Sequence, residues 1–489
     1  MKQYILTIDQ STTATKTMLI DLDGKIIDKV SIKHQQIYPQ KGWVEHDANE
    51  IMSNVYQSLE ELLKRNKEVK DAILALSITN QRETTIVWDT HTSKPVHNAI
   101  VWQCRRTRSY CKQLKGQEAV ITRKTGLKVD PYFSATKIKW VFDTYSLSPR
   151  NSMFGTIDSW LIYNLTDKKE HVCDHTNASR TLLYNLKEKN WDEELLTIFG
   201  ISKEILPEIK KSDEIFGYTT LNGQINEIPI IGVIGDSQAS LFAQHCFEVG
   251  QTKATIGTGA SVLINTGEKV LEKATGIVNT LAWSLKGESV YASEAIIHSS
   301  TDTLNWMRDQ LGLFEEDCQL NTICEKYDAN GVSVVPAFVG LGNPYWLADA
   351  KASIQGISRD TNKYNIVCAG VESIAFQIYD AIEELKDLVK TSVPTIYMDG
   401  GGIQNPYLIQ LIADLCKSEV VISETALLSA LGAYSIAMIG LGIKDKKGLK
   451  SMHKEEIKYK PLMNEGLRKQ KINIWKNAIE TTIYSLKHK

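Results

Sequence analysis

Tyr4-Ile5-Leu6-Thr7-Ile8-Asp9-Gln10-Ser11-Thr12-Thr13, followed by Met18-Leu19-Ile20-Asp21 and the turn pair Asp23-Gly24, reads as an apolar strand, a short turn of small polar side chains and a return strand. The same grammar recurs far downstream. Residues 253–256 lead into Gly257-Thr258-Gly259-Ala260, and residues 261–265 return to another glycine turn. Two related hairpins separated by some 245 residues predict two similar halves, each opened by its own hairpin. Between and after them, strands and helices alternate. Residues 73–79 and 228–234 read as buried strands, 367–389 as a long helix, and 395–398 as a strand entering Asp399-Gly400-Gly401-Gly402. Alternation of this kind predicts α/β layers.

Asp47 is placed to cap a helix, with Glu50 three residues later as a capping-box partner and Ile51, Val55, Leu59, Leu62 and Leu63 as the apolar stripe. A chain of 489 residues exceeds what one core organises, so two domains are expected, 1–245 and 246–443. Residues 444–489 form a Lys-rich extension with few strand signals, read as helix and loop over the surface.

Bulk chemistry narrows the partners. With 43% apolar and 23% charged residues the chain has the composition of a folded globular protein. Lys plus Arg total 56 against 58 for Asp plus Glu, so a net charge of -2 gives no general attraction to nucleic acid or an anionic membrane. The opening MKQYILTIDQ reaches an acid too soon for a signal peptide, and the apolar run at 433–443 is too short to span a bilayer. The eight cysteines (104, 111, 173, 246, 318, 324, 368 and 416) contain no C-x-x-C pair, so buried free thiols and a cytoplasmic location are expected.

No G-x-x-x-x-G-K-[ST] loop and no protein-kinase signature set occurs, so any phosphate cradle must be built otherwise. The two hairpin turns offer one, since backbone N–H groups and hydroxyls can converge on phosphate oxygens, although such turns are commonly just turns. Asp9, at the end of its strand, is either a plain turn residue or a carboxylate that holds Mg2+ through water. Asp236 follows a buried strand and precedes a helix, and is either a helix cap or the acceptor of a proton from an attacking hydroxyl. Arg82 and Glu83 pair a donor fork with an acceptor, which suits a polyol or a surface ion pair. Trp102 and Tyr132 are candidate pocket walls or packing residues, and Gly400 to Gly402 would let a nucleotide approach the backbone. His46 and His298 have no evident partner and are assigned no role.

Five segments joined in order carry a resemblance: residues 8–13, 42–47, 78–85, 99–106 and 132–140, the last reading Tyr132-Phe133-Ser134-Ala135-Thr136-Lys137-Ile138-Lys139-Trp140. Pro336-Ala337-Phe338, Gly340-Leu341-Gly342 and Pro344-Tyr345-Trp346 extend it. The chain resembles the FGGY carbohydrate kinases of actin-like ATPase fold, and the glycerol kinase branch most closely. The resemblance implies two ribonuclease H-like domains with the active site in the cleft between them. It implies Asp236 as catalytic base, Arg82, Glu83, Trp102 and Tyr132 around the polyol, and Ser237 and Ser261 at substrate-contacting positions. It also implies Thr12, Thr13 and Thr258 on nucleotide phosphates, Gly401 and Asn405 near the adenosine, and ATP with Mg2+ at Asp9 and Asp236. A homo-oligomer, dimer or tetramer, goes with the family.

The departures bear on specificity. Ser237 stands where glycerol kinases usually have Gln, and Ser261 where they usually have Phe, so the pocket is expected to be roomier, with about 1.5 to 3 kcal/mol of aromatic contact missing. On the nucleotide side Ser11, Lys16, Thr301 and Asn305 replace the usual Gly, Arg, Gly and Gln. Residues 219–227 hold no Arg for a sugar bisphosphate and no His for a phosphate carrier. The expected activity is ATP-dependent phosphorylation of a small polyol, glycerol to glycerol 3-phosphate. A larger polyol or a ketose is the alternative substrate, and a non-catalytic actin-like ATP-binding protein the alternative class.

Overall fold

The computed structural model describes residues 2–271, 276–347, 349–423, 425, 427–452 and 456–488. Its first sheet has six strands, in spatial order Ile215–Thr219, Ile228–Gly235, Ile73–Asn80, Tyr4–Gln10, Ala14–Asp21 and Ile26–Lys33. The last three form an antiparallel meander, while Ile73–Asn80 lies parallel to both Tyr4–Gln10 and Ile228–Gly235. The second sheet repeats the plan: Glu288–Ile297, Ala260–Gly267 and Thr252–Ile256 run antiparallel, and Thr395–Asp399 and Glu419–Ser423 follow in parallel. Val278–Leu285 adds one edge. Helices cover the first sheet on both faces, so its central strands are buried at nearly every position rather than on alternate residues.

Register places the chemistry. Gln10 pairs with Asn80 and Asn80 with Gly235, so the segments leaving three adjacent strands, Ser11-Thr12-Thr13, Gln81-Arg82-Glu83 and Asp236, emerge at one edge. In the second sheet Thr255 pairs with Asp399, which brings the Gly257 turn and Gly400 out together. Ligand crevices in α/β sheets open outside such strand ends.

The halves are joined by two helices, Asp236–Ala243 and Leu428–Gly440, that share one core with both sheets: Ile5, Ile20 and Ile234 from the first, Leu263, Ala282 and Trp283 from the second. Leu428–Gly440, contributed by the second half, packs on strands of the first, and Tyr434 donates its hydroxyl to Asp21 O at 2.8 Å. The helices touch at Gly432, where a Cβ would lie 2.0 Å from Ala239 O, so any side chain would force them apart.

Two expectations are corrected. Asp47 caps Ala48–Arg65 by accepting from Asn49 N at 2.8 Å, but Glu50 closes no capping box. Its carboxylate accepts from Gln35 N at 3.1 Å, because the preceding chain passes within reach. The extension after 443 also carries a strand, Glu456–Tyr459, which pairs antiparallel with Glu419–Ser423 and covers an edge that would otherwise stay open. Its helix Glu465–Lys487 docks through Trp475, whose indole donates to Asp380 at 2.7 Å.

Candidate active site

Asp236 opens its helix directly after Gly235, and Ser237 N donates to its Oδ1 at 2.7 Å. Arg82 Nε stands 3.3 Å from the same oxygen. Burial pushes the Asp236 carboxyl up, and Asp9 adds to that push; Arg82, the Ser237 amide and Lys253 pull it back. The side chain is nonetheless 36% exposed.

Arg82 reaches across to the second half. Its NH2 group donates to Glu294 Oε1 at 3.0 Å, and NH1 donates to Gln238 Oε1 at 3.1 Å. Glu294 also pairs with Arg180 at 2.8 Å and accepts from Ser261 Oγ at 3.0 Å. Burial opposes its ionisation, yet Arg180 and Arg82 win and hold it down at about 2. Arg180 Nε donates in turn to Glu83 Oε1 at 2.5 Å. Two arginines and two glutamates, all nearly free of solvent, thus tie the first sheet's edge to the second's. Glu83 takes a left-handed backbone, φ 60°, which costs energy in a non-glycine residue. Its carbonyl accepts from Ser134 Oγ at 3.1 Å and Lys137 Nζ at 3.4 Å, and Lys137 also donates to Tyr132 O at 2.5 Å. The 132–140 segment therefore fastens the Glu83 turn. Buried among carbonyls, Lys137 is pushed down to about 8.

The wall residues form a chain. Trp102 and Tyr132 have ring centroids 5.4 Å apart, and Trp102 Nε1 donates to Thr12 Oγ1 at 3.1 Å, linking this aromatic pair to the first hairpin turn. Ser11 N and Oγ both donate to Ala14 O, closing that turn tightly. Thr13 is left exposed. Asp9 is buried and pairs with Lys16 Nζ at 3.4 Å; burial raises its carboxyl and Lys16 partly offsets this.

In the second hairpin Gly257 N donates to Gly259 O at 2.9 Å and Thr258 stands exposed at the tip. Thr301 Oγ1 donates to Gly257 O at 2.9 Å, which binds the hairpin to the start of helix Thr301–Asp309. Gly400, φ 91°, rests on Ile256, where a Cβ would lie 2.3 Å from Ile256 O. Gly401 faces open space. Asn405 caps Pro406–Cys416 by accepting from Leu408 N at 3.1 Å, and its Nδ2 is buried without a hydrogen-bond partner among the described residues. Asn305 is exposed on its helix, with no bonded partner among the described residues. His46 does have partners: Nε2 lies 2.9 Å from Gln36 Oε1 and its ring packs edge-on against His34.

Comparison with known proteins agrees with this architecture. The profile of the FGGY family of carbohydrate kinases matches as its N-terminal domain over residues 4–243 and as its C-terminal domain over 252–441. The chain belongs to the FGGY family of carbohydrate kinases. Over 485 residues this FGGY kinase is 43% identical to glycerol kinase 1 of Thermotoga maritima, covering 97% of this chain and 99% of the relative. Glycerol kinase of Plasmodium falciparum, solved with ADP, superposes with a TM-score of 0.92 at 34% identity over 98% of each chain. A ligand-bound xylulose kinase of Lactobacillus acidophilus gives 0.88 at 23% identity over 98% and 97%, a likeness of fold.

Sequence reading of this FGGY kinase missed Glu294, Arg180 and Gln238. The signal was present for Glu294: a single acid in the run Val290-Tyr291-Ala292-Ser293-Glu294-Ala295-Ile296 is a buried charge, and a buried charge needs a partner. Arg180, in Asn177-Ala178-Ser179-Arg180, carried no such contrast with its neighbours.

Proposed function

We propose that this FGGY kinase transfers the γ-phosphoryl group of ATP to a terminal hydroxyl of a glycerol-like polyol, with Asp236 accepting the hydroxyl proton. One observation carries the assignment of roles: Asp236, at a strand end beside the Arg82–Glu294–Arg180–Glu83 cluster, is ionisable, partly open, and held by Arg82 at 3.3 Å. A carboxylate raised by burial is a better base than a free one. Arg82 and Glu83 then donate to and accept from the polyol hydroxyls, with Trp102 and Tyr132 against its carbons. The likeness to the Thermotoga enzyme supports glycerol as substrate.

Thr12, Thr13 and Thr258 would contact the nucleotide phosphates from the two hairpins, Lys16 and Thr301 would line their approaches, and Gly401, open above the backbone, would admit the adenosine. Asn305 and Asn405 would stand near the adenosine as the family likeness implies. The Asp9 charge is felt at Asp236, and both residues offer only oxygen donors, which suits Mg2+. Among the described residues no cluster of three or more ligating side chains exists to grip a metal alone, so the phosphates would supply the remaining oxygens. Mg2+ there would neutralise charge on the transferring group.

Ser237 and Ser261 favour a second reading, a longer polyol or a ketose, because both are half-buried and neither provides an aromatic wall. A panel of glycerol, dihydroxyacetone, tetritols and pentuloses, read by ADP release, separates the two. Glycerol with the highest kcat/KM supports the first reading; a four- or five-carbon substrate ahead of it supports the second. Turnover of none would overturn both. Eight free cysteines support a cytoplasmic location, and no helix among the described residues is long and apolar enough to cross a membrane. Family likeness supports a dimer or tetramer, which light scattering tests.

A further inference from the structure

Behind the strand ends lies a polar cluster that the phosphoryl-transfer reading does not use. Asp174 is wholly buried and caps the short turn His175–Ala178. Five donors converge on its carboxylate: Thr176 N at 2.8 Å, Asn177 N at 2.9 Å, Thr176 Oγ1 at 2.9 Å, Asn177 Nδ2 at 2.8 Å and Ser212 Oγ at 3.1 Å. That is more than a helix cap requires.

Two arms leave this hub. Thr176 Oγ1, fixed by Asp174, accepts from Gly235 N at 2.9 Å, one residue before Asp236. Asn177 and Asn80 exchange paired amide bonds at 2.9 and 3.1 Å, and Asn80 Nδ2 also donates to Gln81 O at 2.8 Å, one residue before Arg82. Every side chain on both arms is buried. The arms end beside the two groups that face each other across 3.3 Å, Asp236 and Arg82. Gly235 has no side chain of its own and is held through its N–H by Thr176, while at the Asn80 end the Gln81 side chain adds a bond from Nε2 to Gln10 Oε1 at 3.1 Å.

We propose that Asp174, Thr176 and Asn177 are positioning residues that fix Asp236 and the Arg82–Glu83 turn relative to one another. This rests on Asp236 being the base. A buried carboxyl group with five donors converging on it makes a stiff anchor, since displacing it would break several buried hydrogen bonds at once. One anchor serving two strand ends converts independent loop positions into a single geometry, and misplacement by about 1 Å costs reaction rate on the order of 10²-fold.

The test compares Thr176→Val, Thr176→Ser, Asn177→Ala, Asp236→Asn and, as a control, Thr125→Val, another buried hydroxyl whose bonds to Ile121 O and Leu127 N stay local. Each is measured for kcat, KM for ATP and for the polyol, and Tm. Thr176→Val is expected to lose about 10- to 100-fold in kcat with KM for ATP within about twofold, while Thr176→Ser restores most of kcat. Asn177→Ala is expected to raise KM for the polyol. Thr125→Val is expected to lower Tm and spare kcat. The proposal is overturned if Thr176→Val, scaled for folded protein, turns over like wild type, or if Thr176→Ser is no better than Val. Asp236→Asn separates the readings: full activity there removes the base, whereas a dead Asp236→Asn beside an active Thr176→Val removes only the relay.

Discussion

At Asp236 burial and Arg82 act in opposite directions on one carboxyl, which stays partly accessible, as the proposed base must be. Asp236→Asn keeps the shape and the Ser237 contact but cannot take a proton. Its kcat is expected to fall by about 10² to 10⁴, with ATP affinity by calorimetry little changed. Glu294 makes a different kind of prediction. Glu294→Gln leaves Arg82 and Arg180 buried without their shared counter-charge, at a cost of about 3 to 5 kcal/mol in urea unfolding. The pH dependence has a definite sign. The Glu294 carboxyl is held at about 2, below its ordinary 4.5, so its contribution to stability is complete above about pH 4.5 and is lost as pH falls toward about 2. Over that window wild type is expected to lose more stability than Glu294→Gln does. The placement of Asp236, Arg82 and Glu83 at neighbouring strand ends was legible in the sequence because each follows an apolar strand. Arg180 and Gln238 were not, because their partners lie about a hundred or more residues away in the chain.

Hairpins and strand ends are the elements that matter here, and they were the most legible part of the sequence: an apolar run, a turn of small residues and a return run leave little freedom. Thr258 stands at the tip of the second turn, so Thr258→Ala is expected to lower kcat by up to about 10²-fold with little change in Tm, since an exposed hydroxyl adds little to folding. Gly400→Ala addresses the facing loop. With φ 91° and a Cβ 2.3 Å from Ile256 O, the alanine must push that loop off the hairpin, and KM for ATP is expected to rise while KM for the polyol stays put. Less legible were the contacts that depend on what passes nearby. Asp47 and Glu50 have the spacing of a capping box, but Glu50 is taken by Gln35 N, and Glu456–Tyr459 becomes a strand because Glu419–Ser423 offers it an edge.

For the molecule as a whole, the cluster of Arg82, Glu294, Arg180 and Glu83 spans the two halves, so the side proposed to hold the polyol is already bridged, while the two hairpins proposed to hold the nucleotide belong to separate sheets. Binding both substrates is expected to draw the halves together, read as a smaller radius of gyration by X-ray scattering with ADP and polyol than with either alone. Ser237→Gln with Ser261→Phe tests how the closed pocket selects. If the serines enlarge it, the double variant shifts kcat/KM toward glycerol and away from four- and five-carbon substrates; a wild type that already prefers glycerol, with a variant that only loses activity, means neighbours have refilled the space. The duplicated plan was visible in the two hairpins, but the exchange of helices was not, because Leu428–Gly440 is apolar all round and its sequence does not say which sheet it covers.

That exchange has a consequence for cutting the chain. A first fragment ending after residue 247 would lack the helix that covers strands Tyr4–Gln10, Ile73–Asn80 and Ile228–Gly235, and the remaining fragment would carry that helix with nothing to cover. Each piece alone would expose one side of the same apolar seam and aggregate, yet each holds what the other lacks. Co-expressed, the pieces are therefore suited to reassemble around Gly432 and Ala239, making this kinase a candidate split reporter whose signal is its own phosphorylated product.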